Sequence, residues 1–399
     1  MSQDVWIVGM SMTKFGRFED RDVIDLASEA AIAALGDAGL AMTDMDVLAV
    51  GSRYDTAGIG QRLQKQVGQT GIPVYNVVNA CATGASAVRI VAMAIKAGEA
   101  DLGLAVGVEQ MGKLGLLGTS EPIDHESPYV PAGRYGALGS TEGLLGTSLM
   151  PGTFAHAGTA YALANDRVGI EQFAKVAEKN HAHSALNPLA QYRKVFSLEQ
   201  ILEAEMIAYP NTILMCCPTA DGGAAAVLVG EERLRALPSE VQRRAVKISA
   251  SVLTSDAYDD ENSVHLNINR LTRAAADAAY EAAGVGPDDL DLVELHDCFA
   301  TAELVHYDNL RLCPEGGAGE WIDRRGPWRD GETPVNVSGG LLSKGHPLGA
   351  TGIANLYEIG THLRGEAGDR QIEGARVGLA HVIGLGSSCA VHILEKAAS

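Results

Sequence analysis

At 399 residues the chain exceeds what one small core serves, and its length predicts two or three domains. Its 31 Lys and Arg against 50 Asp and Glu leave a formal charge of −19, which repels nucleic acid and anionic membrane surfaces, so that an anionic substrate would need a local basic patch. Forty-six glycines beside only 5% aromatic residues fit a globular chain with many close backbone approaches, not a fibrous or disordered one.

In chain order, Val5 to Val8 reads as a short strand and Asp22 to Ala38 as a helix, with Val23, Leu26, Ala30, Ala34 and Ala38 at helical spacing and Gly39 as its stop. Val47-Leu48-Ala49-Val50 is an apolar run of the length of a buried parallel strand and completes a β-α-β unit. Next, Asn76 to Ala87 carries a strand through Cys81 into a Gly- and Ala-rich helix. A thiol at a helix start lies beside unpaired N–H groups and the positive dipole end, a setting that favours a thiolate and makes Cys81 a candidate nucleophile. Buried free cysteines also simply pack, and this stretch alone leaves the choice open.

From Lys113 to Tyr209 the texture turns to Gly, Ser, Thr, His and Pro, with a helix predicted near Ile170 to Ser184. An excursion of this length is expected to cover a functional site. Cys217 to Val229 returns to strand character and closes a first half; Val246 to Val252 opens a second.

The second half repeats the first. Ala274 to Ala283 is the helix, Gly284 the stop, Pro287 to Asp291 the connector and Leu292 to Leu295 the strand. Gly39 matches Gly284, Asp44 matches Asp289 and Asp46 matches Asp291, at a constant offset of 245 positions. Cys81-Ala82-Thr83-Gly84-Ala85 matches His346-Pro347-Leu348-Gly349-Ala350 at an offset of 265. Two related halves would place Cys81 and His346 at equivalent strand-to-helix turns, facing one another if the halves pack about a pseudo-twofold axis.

Polar residues and glycines also gather where other apolar strands end: His296-Asp297-Cys298-Phe299, Asn336-Val337-Ser338-Gly339-Gly340 ahead of Lys344-Gly345-His346, and the turn at Gly384-Leu385-Gly386. Ligands collect at carboxyl ends of strands in such folds, so these stretches and the Cys81 turn are candidates for one site. Thiols and imidazoles are zinc ligands, but the candidates lie far apart with no short ligand pair, and no metal is expected. Cys216, Cys217, Cys313 and Cys389 read as packed thiols. The six cysteines form no C-x-x-C pair and no secretory leader is seen, so a reducing, cytoplasmic setting is expected. No segment reaches membrane-spanning length without charges, so no membrane association is expected.

Taken together, the chain resembles the thiolases, specifically the sterol-carrier-protein type. The motifs are Asn79-Ala80-Cys81-Ala82-Thr83-Gly84, Cys216-Cys217-Pro218-Thr219-Ala220-Asp221-Gly222, His296-Asp297-Cys298-Phe299, Cys313-Pro314-Glu315-Gly316 and Ser343 to Gly352, in family order. The resemblance implies an α/β thiolase fold: two pseudo-symmetric βαβ-based halves with helices between and around two sheets, plus an inserted loop domain. The corresponding divisions are 1–112 with 210–240, 113–209, and 241–399.

The resemblance further implies cleavage of a 3-ketoacyl-CoA by coenzyme A, or the reverse Claisen condensation, through an acyl-cysteine at Cys81. His346 would take the thiol proton and Cys298 would protonate the acetyl-CoA carbanion. His346 and a water held by His296 would serve the enolate oxygen, while the N–H groups of Cys81 and Gly384 would serve the tetrahedral oxyanion. Coenzyme A enters as substrate and no other cofactor is implied; a homodimer or dimer of dimers is expected. Arg193 and Lys194 are candidates for the coenzyme A phosphates. The alternatives are a thiolase-fold aldolase working with a small partner protein and a non-catalytic acyl-CoA or lipid-binding protein, neither of which needs both Cys81 and Cys298.

Overall fold

A computed structural model describes residues 3–112, 149–257, 268–385 and 388–397. The stretch predicted to begin the excursion, 113–148, lies outside the described residues.

The first half contributes β1 (Val5–Met12), α1 (Val23–Ala38), β2 (Val47–Gly51), α2 (Ile59–Val67), β3 (Val74–Val77), α3 (Thr83–Ala97) and β4 (Leu102–Gln110). The excursion holds α4 (Leu149–Ala164), α5 (Ile170–Ser184) and a hairpin of β5 (Met206–Ala208) and β6 (Asn211–Thr212). β7 (Asp221–Gly230) completes the first half. The second is built from β8 (Val246–Ser255), α6 (Ile268–Ala283), β9 (Leu292–Glu294), α7 (Ala300–Asn309), α8 (Gly340–Lys344), α9 (Leu348–Arg364), β10 (Val377–Gly384) and β11 (Ser388–Lys396), with single-turn helices elsewhere. The predicted 170–184 helix matches α5, whereas β1 runs four residues beyond the expected strand and α6 begins earlier than expected.

The sheet order is β3-β2-β4-β7-β1-β8-β11-β10-β9. Read outward from the centre, each half runs antiparallel, antiparallel, parallel: β1, β7, β4, β2 mirrors β8, β11, β10, β9. A bridge from Val293 to Val335 occupies the place that β3 takes beside β2. The two sheets expected of the halves join edge to edge into one nine-stranded sheet through two residue pairs, Trp6 with Lys247 and Ile7 with Val246.

The repeat is physical as well as textual. Gly39 and Gly284 end α1 and α6 at φ +67° and +71°, a conformation only glycine adopts without strain. Asp46 accepts the N–H groups of Asp101 and Leu102 at 2.9 Å each, starting β4. Asp291 does the same for Arg376 and Val377 at 2.7 and 2.9 Å, starting β10.

The 80–97 stretch is, by length and composition alone, apolar enough to cross a membrane, with Arg89 and Lys96 its only charges. Here it is a core helix: α3 packs between the sheet and α9. That contact is made at glycines. A Cβ on Gly84 would lie 2.5 Å from the carbonyl oxygen of Gly349, and one on Gly352 would collide with the backbone of Ala85.

Candidate active site

The turns entering α3 and α9 share one geometry. Ala80 and Gly345, each preceding the site residue, both have positive φ, +48° and +115°. In the first copy the Ser86 hydroxyl donates to the carbonyl of Ala82 at 2.9 Å and accepts the Asn79 side-chain amide at 2.8 Å. In the second the Thr351 hydroxyl donates to the carbonyl of Pro347 at 3.0 Å and pairs with Nδ1 of His346 at 2.8 Å. Assigning the hydroxyl proton to the Pro347 carbonyl places the His346 proton on Nδ1 and gives Nε2 a bare lone pair.

The crossing of α3 and α9 brings the two turns together. Cys81 Sγ, one ring nitrogen of His296 and one of His346 lie within 4.8 Å of one another. The imidazoles of His296 and His346 meet edge to face with centroids 5.2 Å apart. Cys81 is 2% exposed and both histidines 1%. Cys298 is equally buried; its carbonyl accepts the N–H of Cys217 at 2.9 Å, and Cys81 and Cys217 are among the thiols close enough to act on its ionisation. Gly384 ends β10 against the carbonyl of Asn79, leaving no room for a side chain. The neighbouring N–H that reaches the Cys81 sulfur is that of Leu385, one residue further on.

The electrostatics correct the expectation of a resting thiolate at Cys81. Burial, reinforced by the Glu109 carboxylate, pushes the thiol up to about 12, and the opposing Arg53 and the Leu385 N–H do not compensate. A helix N-terminus lowers a thiol pKa only modestly, so desolvation wins. Burial also holds His296 down at about 3 and His346 well below its ordinary value, aided at His346 by neighbouring His296 and Lys344. The resting site is therefore neutral: thiol beside imidazole. Burial likewise drives the Cys298 thiol well up.

Two buried polar systems support these groups, and neither was evident in the motifs. Glu109, at the end of β4, accepts Ser52 Oγ and the N–H groups of Arg53, Tyr54 and Gly349, tying the first-half loop to the first turn of α9. On the other side Asp297 accepts the N–H groups of Leu341 and Leu342 at 2.7 and 3.2 Å and the side-chain amide of Asn180 at 2.8 Å. It thereby ties the His296 to Cys298 segment to α8, which leads directly into His346. Behind it, Lys179 pairs with Glu303 at 2.7 Å with both side chains wholly buried, and Glu303 also accepts Asn180, Tyr307 and Asn336. Lys179 and Asn180 come from α5, so the excursion is part of the site's foundation.

A cavity of about 910 Å³ reaches Cys217 and Phe299, the neighbours of Cys298, without being lined by Cys81, His296, Cys298 or His346; its walls are mainly apolar, including Phe196 and Leu214, with Arg17 and Lys194 as its cations. Lys194 lies over the Phe196 ring at 4.8 Å. Arg193, the other candidate, is not among the lining residues and donates to the carbonyl of Ala185. Cys216 and Cys217, read from the sequence as packed thiols, line this cavity; their place in a quoted motif was the available signal. All six cysteines are free.

Comparison with known proteins agrees along the whole chain. Family models described as thiolase, N-terminal domain, and thiolase C-terminal domain-like match residues 5–195 and 255–396. Human sterol carrier protein 2 is 39% identical over 399 residues, 98% of this chain and 72% of that protein. An acetyl-CoA acetyltransferase from Methanothermobacter thermautotrophicus is 34% identical over 99% of this chain and all of its own length. Among solved structures, one described as the Ltp2-ChsH2(DUF35) aldolase superposes with a TM-score of 0.83 at 23% identity, covering 100% of this chain and 99% of that one, a likeness of fold.

Proposed function

Because this chain belongs to the thiolase family, we propose that it cleaves 3-ketoacyl-CoA with coenzyme A, or runs the reverse Claisen condensation, through an acyl-cysteine at Cys81. The observation that carries this reading is the convergence of the Cys81 sulfur with the nitrogens of His296 and His346 within 4.8 Å. The acetyl-CoA acetyltransferase relative points to the same substrate class.

The neutral pair sets the order of events. The Cys81 thiol attacks the substrate ketone as its proton passes to Nε2 of His346, so thiolate forms only where a carbonyl is ready to receive it. The N–H groups of Cys81 and the Gly384 turn meet the developing oxyanion. Collapse breaks the Cα–Cβ bond and sends its electron pair to the acetyl-CoA unit, whose enolate oxygen is met by His346 and a water held by His296. Cys298 delivers its proton to that carbon. The proton on His346 then passes to the Cys298 thiolate, so both groups return to neutral. Free coenzyme A gives its thiol proton to His346 and attacks the acyl carbon, and the leaving Cys81 thiolate takes that proton back as the acyl-CoA departs.

The adjoining cavity supplies an apolar wall for the acyl or pantetheine portion, and Arg17 and Lys194 supply positive charge at its lining within a strongly acidic chain. A homodimer is part of the reading: among the described residues β3 is the last strand of the sheet, and Tyr75, Val78 and Met93 on and beside it are nearly half exposed. The fold likeness to an aldolase supports a second reading, retro-aldol cleavage of a 3-hydroxyacyl-CoA. That reaction gives Cys81 and Cys298 no task.

The test is a direct comparison of substrates. Coenzyme A-dependent release of acetyl-CoA from acetoacetyl-CoA or longer 3-ketoacyl-CoAs is expected. Carbonyl release from 3-hydroxyacyl-CoA without coenzyme A, and no thiolysis, would establish the second reading instead.

A further inference from the structure

The same three groups satisfy a different chemistry. Zinc is held by thiolate at about 2.3 Å and by imidazole at about 2.0–2.1 Å, which in a tetrahedron places sulfur and nitrogen about 3.6 Å apart and two nitrogens about 3.3 Å apart. Cys81, His296 and His346 offer one sulfur and two nitrogens already within 4.8 Å of one another. The separations therefore exceed a zinc tetrahedron's by at most about 1.2–1.5 Å.

Each of the two rings also has a nitrogen free to coordinate. His346 Nε2 and His296 Nδ1 are buried without a hydrogen-bond partner. The Thr351 hydroxyl fixes the His346 tautomer by holding Nδ1–H at 2.8 Å, the orienting contact that histidine ligands of zinc ordinarily receive. The donor set of one thiolate and two imidazoles suits zinc, not magnesium, which takes oxygen ligands.

We propose that Cys81, His296 and His346 form a three-ligand site for a thiophilic divalent cation such as Zn2+, which shuts the enzyme reversibly. Binding forms one metal–sulfur and two metal–nitrogen bonds, the thiol proton leaves to solvent, and the fourth position holds water. The nucleophile and its base are then both occupied, so metal and acyl-CoA exclude one another.

The experiment reads the metal, not turnover, so its result stands apart from that of the thiolysis assay. The intact protein, stripped with a chelator, is titrated with Co2+ and with Zn2+, with Mg2+ as control. Expected are one bound ion per chain, a sulfur-to-cobalt charge-transfer band, and protection of Cys81 from iodoacetamide by Zn2+ that a chelator reverses and Mg2+ does not reproduce. Thr351→Val, which leaves all three ligands in place, is expected to weaken Zn2+ binding about 10–100-fold, while Cys216→Ala leaves it unchanged. Absence of the charge-transfer band in the unaltered protein would overturn the proposal. So would unchanged Zn2+ affinity in Cys81→Ala or in His346→Ala, or loss of binding in Cys216→Ala, which would move the site to another thiol.

Discussion

The turn at Cys81 and the turn at His346 share a backbone but are held from behind by different chemistry. Both follow a residue at positive φ, and both carry a hydroxyl that bonds the carbonyl four residues earlier. Near the thiol stands a single carboxylate, Glu109, satisfied by four donors. The imidazole's turn is instead anchored through Asp297 to a lattice of buried charge from Lys179 and Glu303. Burial does most to keep the proton on the thiol and off the imidazole; the Glu109 carboxylate adds to it at Cys81, and His296 and Lys344 add to it at His346. The same burial acts in opposite senses on the two side chains, keeping a thiol protonated and an imidazole unprotonated, and the differing supports add to it.

The largest way to break the comparison is to remove the support that only one turn has. Lys179→Met leaves Glu303 buried without its cation and is expected to lower stability by about 3–5 kcal/mol, read by denaturant unfolding. Next is the contact the copies share. Gly352→Ala puts a methyl into the backbone of Ala85, and the helices must part; a loss of about 1–3 kcal/mol is expected. A fall in acylation rate in protein that remains folded would accompany it, since separating α3 from α9 separates Cys81 from His346.

Acid separates the halves further. No histidine lies in 5–112 or 210–240, while burial holds His296 and His306 at about 3 and His362 and His392 at about 4 in the second half. Their folded values lie below the ordinary 6.5, so the unfolded chain binds protons first as pH falls. Stability is complete above about pH 7 and declines below 6.5 until the folded values are reached, by up to about 1.4 kcal/mol per pH unit for each histidine. Hydrogen exchange at pH 5 should open α9 and β10 before β2 and β4. The smallest effect sharpens the comparison most. Ser86→Ala and Thr351→Val each remove a buried hydroxyl that makes two hydrogen bonds, about 1–2 kcal/mol of stability, but only Thr351→Val should alter the pH profile of acylation, because only Thr351 holds a tautomer.

Much of this was legible in the chain. The α1 and α6 stops, the connector aspartates and the paired turns at Cys81 and His346 are local: one glycine or one carboxylate performs each task within a few residues. The apolar run of β2 and the periodicity of α5 are of the same kind. What escaped depends on distance. Glu109 lies 28 residues after Cys81 and bonds Gly349 from the other half, and Lys179 meets Glu303 across 124 positions. A charged residue in a core helix reads as a solvated face until its partner is known. The resting state of Cys81 escaped for the same reason, since the helix start is visible in sequence while the depth of burial and the neighbouring carboxylate are not. Side chains from many separate segments likewise form the cavity near Phe299, which is why Arg17 was missed.

The central claim is that a neutral thiol at Cys81 becomes acylated with His346 as its base. Intact-mass and peptide mass spectrometry after incubation with acetoacetyl-CoA tests it most directly, first without and then with free coenzyme A. The account predicts an acetyl adduct on Cys81 that accumulates without coenzyme A, disappears when it is added, and is absent from Cys81→Ala and strongly slowed in His346→Ala. Turnover with no adduct, or an adduct on Cys217 or Cys298 instead, would contradict it.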